Sequence, residues 1–134
     1  MHVLNLVTNA ESRFFAQQVR ALSAAGVEST TMSVPGDHRY EDGETKGRSP
    51  TDYARFLPAA VYRSFGDYDL VHANYGLTAP AAVLQPSHPS VVSLWGTDLM
   101  GPYGWLSRTC SRFADAVVVM TEEMAAVLDC DCHV

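Results

Sequence analysis

The stretch Ser90-Val91-Val92-Ser93-Leu94-Trp95-Gly96-Thr97-Asp98 predicts both the fold of this chain and the place of a binding site. Its first five residues form an apolar run typical of a buried strand, which ends close to a glycine. A hydroxyl and a carboxylate, from Thr97 and Asp98, follow at once. Ligands of open α/β sheets bind at the carboxyl ends of strands. A similar strand end, Val71-His72-Ala73-Asn74-Tyr75-Gly76, lies one crossover unit upstream, so we expect a site shared by two neighbouring strands.

Apolar strands alternate with amphipathic helices along the whole chain. We predict five strands and the start of a sixth, at 2–8, 28–34, 68–74, 90–95, 115–120 and 132–134. We predict helices at 13–25, 52–65, 78–84, 104–113 and 122–128. Pro58 is expected to kink or divide the second helix and Thr121 to cap the last, while 35–51 forms an exposed loop. The order predicts an α/β fold, a doubly wound parallel sheet with helices on both faces.

Composition narrows the class of protein. The 134 residues suit one domain, and a hydrophobic content of 47% with 18% charged residues is that of a folded protein. A net charge of -6 argues against nucleic-acid binding. The sequence has no apolar run of membrane-spanning length and no basic region before a signal-like core. We therefore predict a cytoplasmic protein, and leave open a peripheral contact with the inner face of a membrane.

The sequence predicts neither a metal nor a cofactor. The turn Asn9-Ala10-Glu11-Ser12 has no glycine, whereas a dinucleotide fingerprint needs glycines where the backbone approaches the pyrophosphate. The Walker phosphate loop is also absent. The segment Cys130-Asp131-Cys132-His133 lacks the second ligand pair of a zinc site.

Polar and aromatic side chains near the two strand ends are the candidates for chemistry. His72 is either a core histidine bonded to a backbone carbonyl or an imidazole that orients a substrate hydroxyl. Asn74 projects from the same face and can both donate and accept, as sugar hydroxyls require. Asp98 caps the turn after the strand, accepts from a substrate hydroxyl, or does both. Trp95 is either a core residue or a stacking surface at the cleft.

Four segments together resemble the amino-terminal domain of retaining glycosyltransferases with the GT-B fold, the group 1 or family-four class. They are the first helix with the glycine after it, a "D-x-V-H-x-H" strand, an "H-G-x-D" segment and an "A-D-x-V-I-x-x-S-E" segment, found here at 14–27, 67–76, 94–99 and 112–122. The second histidine of the strand motif is replaced by Asn74. The histidine that often precedes the glycine is replaced by Trp95, which cannot relay a proton.

The resemblance implies that residues 1–134 are an acceptor-side Rossmann-like domain. Such enzymes move a sugar from a nucleotide-sugar donor to an acceptor hydroxyl with retention, and the donor binds a carboxyl-terminal domain that this chain lacks. We therefore expect the isolated chain to be inactive. The acceptor is a sugar, a lipid-linked sugar or a small molecule. The expected catalytic residues are Asp98 and His72, and the expected acceptor-binding residues are Asn9, Glu11, Asn74, Tyr75, Trp95, Gly96 and Thr97.

Two other functions remain open on the sequence. A flavodoxin-like module could bind a small ligand at the same strand ends without catalysis. Half of a nucleotide-sugar epimerase would share the two-domain architecture, although the segment 112–122 favours the transferase.

Overall fold

A computed structural model describes residues 1–8, 13–34, 40–41, 44–45, 50–101, 103–128 and 131–134. The strands are β1 (His2–Val7), β2 (Glu28–Ser33), β3 (Tyr40–Glu41), β4 (Glu44–Thr45), β5 (Leu70–Ala73), β6 (Ser90–Ser93) and β7 (Ala116–Val118). The α-helices are α1 (Arg13–Ala24), α2 (Pro50–Arg63), α3 (Ala79–Leu84), α4 (Thr97–Met100), α5 (Gly104–Ser111) and α6 (Glu122–Val127). A 3-10 helix, Gly76–Thr78, precedes α3.

The main sheet has five parallel strands in the order β2-β1-β5-β6-β7. Every strand is joined to the next by a crossover, as parallel pairing requires. His133 adds an isolated parallel bridge to Val118, in line with the predicted start of a sixth strand. The predicted α/β fold with a parallel sheet is confirmed. All carboxyl ends of the strands consequently meet at one edge.

The main core lies on one face of this sheet. Alternate residues of β1 and β5, namely Leu4, Leu6, Val71 and Ala73, are fully buried there. Helices α2, α3, α5 and α6 cover them with apolar side chains that include Phe56, Ala60, Ala81, Cys110 and Met124. This burial of apolar area is the main stabilising contribution to the fold.

Helix α1 covers the opposite face. The crossover from β1 to β2 runs in the opposite direction along the sheet to the later ones, and parallel crossovers are right-handed. Phe15 of α1 and the strand residues Val3 and Val7 are buried but lie outside the main core. The predicted helices on both faces are thus confirmed, with a single helix on this second face among the described residues.

The structure corrects several boundaries. The predicted loop at 35–51 contains the short antiparallel pair β3–β4, and α2 begins at Pro50. Pro58 does not divide α2, which continues to Arg63. Helix α4 was not predicted at all, because four residues are too few to show a helical period. The expected cap of α6 is present, since the Thr121 hydroxyl accepts from the Met124 N–H at 3.1 Å.

Within the described ranges, no helix has both the length and the apolar character that crossing a membrane would take.

Candidate functional site

The carboxylate of Asp98 joins the carboxyl ends of β5 and β6. Its oxygens accept from the backbone N–H of Gly76 at 2.9 Å, of Trp95 at 3.0 Å and of Gly96 at 2.8 Å. Asp98 is 1% exposed, so these bonds form away from water. Hydrogen bonds to a charged acceptor are about twice as strong as neutral ones. The structure thus gives Asp98 the capping role, and it extends that role from one strand end to two.

A close contact with α5 also fixes the segment that contains Asp98. The Ser107 hydroxyl donates to the Asp98 backbone carbonyl at 2.6 Å. A Cβ atom built on Gly76 would lie 2.0 Å from Ser107 Oγ and 3.1 Å from Asp98 Cβ. Because no side chain fits in that gap, the chain can turn into the 3-10 helix here only with a glycine at this position.

Gly96 and Trp95 form the outer part of the second strand end. Gly96 has φ +148°, which L side chains rarely adopt, and a Cβ there would meet nothing within 4 Å. Glycine is thus required at position 96 for its backbone conformation alone. The indole N–H of Trp95 donates to the backbone carbonyl of Asn74 at 2.5 Å. Trp95 is half-buried, so it is neither a core residue nor a free side chain.

Asn74 belongs to a chain of amide groups on the face covered by α1. Gln18 of α1 donates to Asn74 Oδ1 at 2.7 Å. The Asn74 amide nitrogen donates in turn to Asn5 Oδ1 and to the His72 carbonyl, both at 3.2 Å. These bonds fix the orientation of an amide that is 7% exposed at the edge of the sheet.

His72 lies on the same face and pairs with Ser93 of the neighbouring strand. The two side chains meet at 2.7 Å between Nε2 and Oγ, so the partner is a hydroxyl rather than the expected backbone carbonyl. Burial disfavours the charged imidazolium and lowers the pKa of His72 from 6.5 to about 4. At neutral pH the ring is therefore uncharged, and it has one nitrogen that donates and one that accepts a hydrogen bond.

The structure brings most of the predicted site residues together. Asn74, Trp95, Gly96 and Asp98 are linked directly by the bonds described above, and His72 joins them because its carbonyl accepts from the Asn74 amide. Tyr75 lies among them and is half-buried, and the backbone of Thr97 begins α4. Asn9 and Glu11 lie outside the described residues.

Sequence reasoning missed four partners of these residues: Asn5, Gln18, Ser93 and Ser107. Asn5 and Ser93 carried a signal, because each is a polar residue within an apolar strand. Gln18 and Ser107 become partners only through the packing of α1 and α5. In the described part of the chain, no three His, Cys, Asp or Glu side chains gather where a metal ion could bind.

An apolar cleft of about 280 Å³ lies beside this polar edge. One wall comes from α2, with Phe56 and Leu57, and the other from α5, with Trp105 and Leu106. Leu77 and Ala81, from the segment after β5, form the remaining side. No sequence pattern indicated this cleft, since its walls come from three separate helical segments.

An open parallel sheet with a polar edge defines the class of this domain as Rossmann-like α/β. No protein-family model and no curated protein matches its sequence. Sucrose-phosphate synthase from Thermosynechococcus elongatus has a similar structure, with a TM-score of 0.65 and 18% identity over 100% of this chain and 87% of that one. MurG from Acinetobacter baumannii gives a TM-score of 0.52 and 16% identity over 99% of this chain and 44% of that one.

Both proteins are glycosyltransferases of the GT-B type. At this level of identity the likeness concerns the fold alone, and it confirms the predicted Rossmann-like α/β fold with a parallel sheet. This chain spans less than half of the MurG chain.

Proposed function

We propose that this chain is the acceptor-side domain of a retaining glycosyltransferase, which moves a sugar from a nucleotide-sugar donor to an acceptor hydroxyl. The observation that carries the proposal is the joining of two strand ends by Asp98 at the carboxyl edge of a GT-B-type sheet. Ligands of such sheets bind at that edge. Of the four sequence segments that resemble the family, 67–76 ends at this edge and 94–99 lies on it.

Two kinds of group would bind the acceptor. The amide oxygen of Asn74, which can accept a second hydrogen bond beside that from Gln18, and the side chain of Tyr75 would interact with the acceptor at the first strand end. Trp95 offers an aromatic face at the second, where the bare Gly96 leaves room for a sugar ring. Thr97, and the earlier turn with Asn9 and Glu11, complete the proposed acceptor site.

His72 and Asp98 would act on the reaction in different ways. His72 is neutral at pH 7, because burial lowers its pKa to about 4, so it would orient a hydroxyl by hydrogen bonding rather than by charge. Asp98 would act as a positioning residue, because backbone N–H groups already occupy its carboxylate. Its contribution is to keep the two strand ends in register for the acceptor.

The donor would bind a second domain that these 134 residues do not contain. Its sugar would meet the acceptor in the cleft between the two domains, so we expect the chain to be inactive alone. The reading frame that encodes this chain should continue into a second Rossmann-like domain with a Glu-x7-Glu pattern. A frame that stops at Val134 would refute the two-domain proposal.

The test is a transfer assay on the two-domain protein with a panel of nucleotide-sugars and acceptors. We expect His72→Ala to lower kcat/KM at least about 10-fold, the effect of one lost catalytic hydrogen bond. Asp98→Asn should lower it by at least a similar factor, because the two strand ends lose the acceptor that joins them. Asp115→Asn is the matched control, since Asp115 is exposed and lies at the opposite edge of the sheet. Unchanged turnover in both site variants, with folding verified by circular dichroism, would remove these residues from the site.

A further inference from the structure

We infer that the apolar cleft between α2 and α5 binds the hydrocarbon chain of a lipid-type acceptor whose sugar end lies at the neighbouring strand ends. The inference rests on the proposed function and narrows its acceptor to one class. It is carried by the chemistry of the cleft walls, by their continuity with the polar edge and by the size of the cleft.

The cleft walls offer almost no polar group to a ligand. None of the side chains that line it is charged. The Tyr53 hydroxyl already pairs with Thr8 Oγ1 at 2.9 Å, and the Thr78 hydroxyl donates to the Tyr75 carbonyl at 2.7 Å. The third lining hydroxyl belongs to Tyr103, which is 42% exposed. A sugar, phosphate or base would lose hydrogen bonds to water here without replacing them, whereas a hydrocarbon loses none.

Two of the three sides of the cleft follow the polar edge in the sequence. Leu77 and Thr78 follow Gly76, whose N–H is bonded to Asp98. Trp105 and Leu106 lie in α5, a few residues after α4, the helix that contains Asp98. A molecule with its sugar at the strand ends would therefore extend its hydrocarbon chain along these two sides of the cleft. Trp105 is 58% exposed, so its ring is accessible to a ligand in the cleft.

The size of the cleft suits one chain. At about 30 Å³ for a group the size of a water molecule, 280 Å³ holds roughly nine such groups, and a methylene is of similar size. The cleft would thus accommodate a single alkyl segment of about nine carbons, and the rest of a longer chain would extend beyond it.

Calorimetric titration of this chain with n-alkyl β-glucosides, from butyl to dodecyl and below their micelle concentrations, tests the inference. Each methylene should lower Kd by roughly threefold to fourfold, because it is transferred from water to an apolar wall. The gain should stop near nine carbons, where the cleft is full. A gain that continues to dodecyl, or no dependence on chain length, would overturn the cleft as the binding site.

A matched pair of variants locates the binding. Ala54 is exposed and lines the cleft, whereas Ala59 is exposed on the same helix and does not. Ala54→Phe should fill the cleft and weaken octyl glucoside binding at least about 10-fold, and Ala59→Phe should leave it unchanged. Equal effects of the two variants would contradict the inference. Trp105→Ser, with the exposed Phe113→Ser as its control, repeats the test from the other wall.

Phenyl glucoside distinguishes a chain from an aromatic aglycone. It carries six aglycone carbons, as hexyl glucoside does, and tighter binding of the phenyl compound would overturn the assignment of a hydrocarbon chain. The readout is independent of the proposed function. Binding that depends on chain length without transfer in the two-domain protein would refute the transferase alone, while transfer to short-chain and octyl acceptors with equal kcat/KM would refute the cleft assignment alone.

Discussion

The two faces of the sheet are built from the same strands but differ in the contacts of their side chains. One face is packed by apolar contacts, and the other is joined by hydrogen bonds. On one face Leu4 and Val71 are completely buried among apolar neighbours. On the other face the next residues along, Asn5 and His72, are polar and sit opposite each other in register. His72 then bonds to Ser93, and the Asn5 amide to the amide at the end of β5.

The first face mainly stabilises the fold, and the second mainly fixes the orientation of side chains near the site. Apolar contacts are non-directional, so the first face contributes free energy without fixing any one group at an angle. Hydrogen bonds are directional, so the second face fixes the orientation of the groups nearest the site. Four predictions follow from this division, from the largest effect to the smallest.

Leu4→Ala should lower the free energy of unfolding by about 3 to 4 kcal/mol, because a fully buried leucine leaves a cavity in the main core. Leu70→Ala makes the same chemical change on the opposite face, where the side chain is only partly buried, and should cost about 1 kcal/mol. Urea unfolding at pH 7 measures both. Equal losses would show that the two faces contribute alike.

The second face should make the protein sensitive to acid through His72. Its pKa is about 4 in the folded chain against 6.5 ordinarily, so the unfolded chain binds the proton more tightly. Stability is then complete above pH 6.5 and falls as the pH drops towards 4, by up to roughly 3 kcal/mol. His72→Gln should remove this part of the pH dependence. Identical unfolding curves for both proteins from pH 7.5 to 4 would contradict it.

Substitution of Asp98 and of Asp115 compares the carboxyl edge of the sheet with the opposite edge. Asp98 accepts three backbone N–H groups and is buried, whereas Asp115 is exposed and accepts the N–H of Ser90 at 2.8 Å. Asp98→Asn should therefore cost about 2 kcal/mol, since its NH₂ group would face other donors. Asp115→Asn should cost about 0.5 kcal/mol. The midpoints of thermal unfolding give the ranking, and a larger effect at Asp115 would reverse the assignment.

Two serines on the face covered by α1 should show the smallest changes in the free energy of unfolding. Ser93→Ala should cost about 1 kcal/mol, because the His72 ring loses its partner. The buried hydroxyl of Ser29 has no partner among the described residues, so Ser29→Ala should be neutral or slightly stabilising. Parallel urea titrations of the two variants measure this difference. A loss at Ser29 equal to that at Ser93 would mean that the hydrogen bond to His72 contributes nothing.

The sequence predicted the parts of the fold that depend on local patterns. Apolar runs, and for β2 an alternating pattern rich in threonine and valine, located the five strands of the main sheet, although β5 spans Leu70–Ala73 rather than 68–74. Helix α4 and the pair β3–β4 were missed because two to four residues are too short for a periodic signal. Patterns of this kind indicate which residues are buried better than they indicate where an element ends.

The candidate site was predictable as a place but not as a network. Polar residues after apolar runs indicated the carboxyl edge, because parallel strands must end together. The partner of Asn74, however, is Asn5, 69 positions away, and Asp98 reaches Gly76 across 22 positions. Such bonds depend on strand register and helix packing, which the sequence of one strand end does not contain. The role of Asp98 therefore became visible only in three dimensions.

The tight contact between Gly76 and Ser107 has a consequence for sequence variation among relatives of this chain. Position 76 has no room for a side chain as long as position 107 carries one, and Ser107 also holds the backbone of Asp98. The three positions, far apart in the sequence, should therefore change together or not at all. A relative with alanine at 76 should carry glycine at 107, because only glycine lacks both the Cβ and the Oγ that block the added methyl group. Such a relative would also lose the hydroxyl that bonds to the Asp98 carbonyl, so covariation of these positions would show which relatives keep the two strand ends joined.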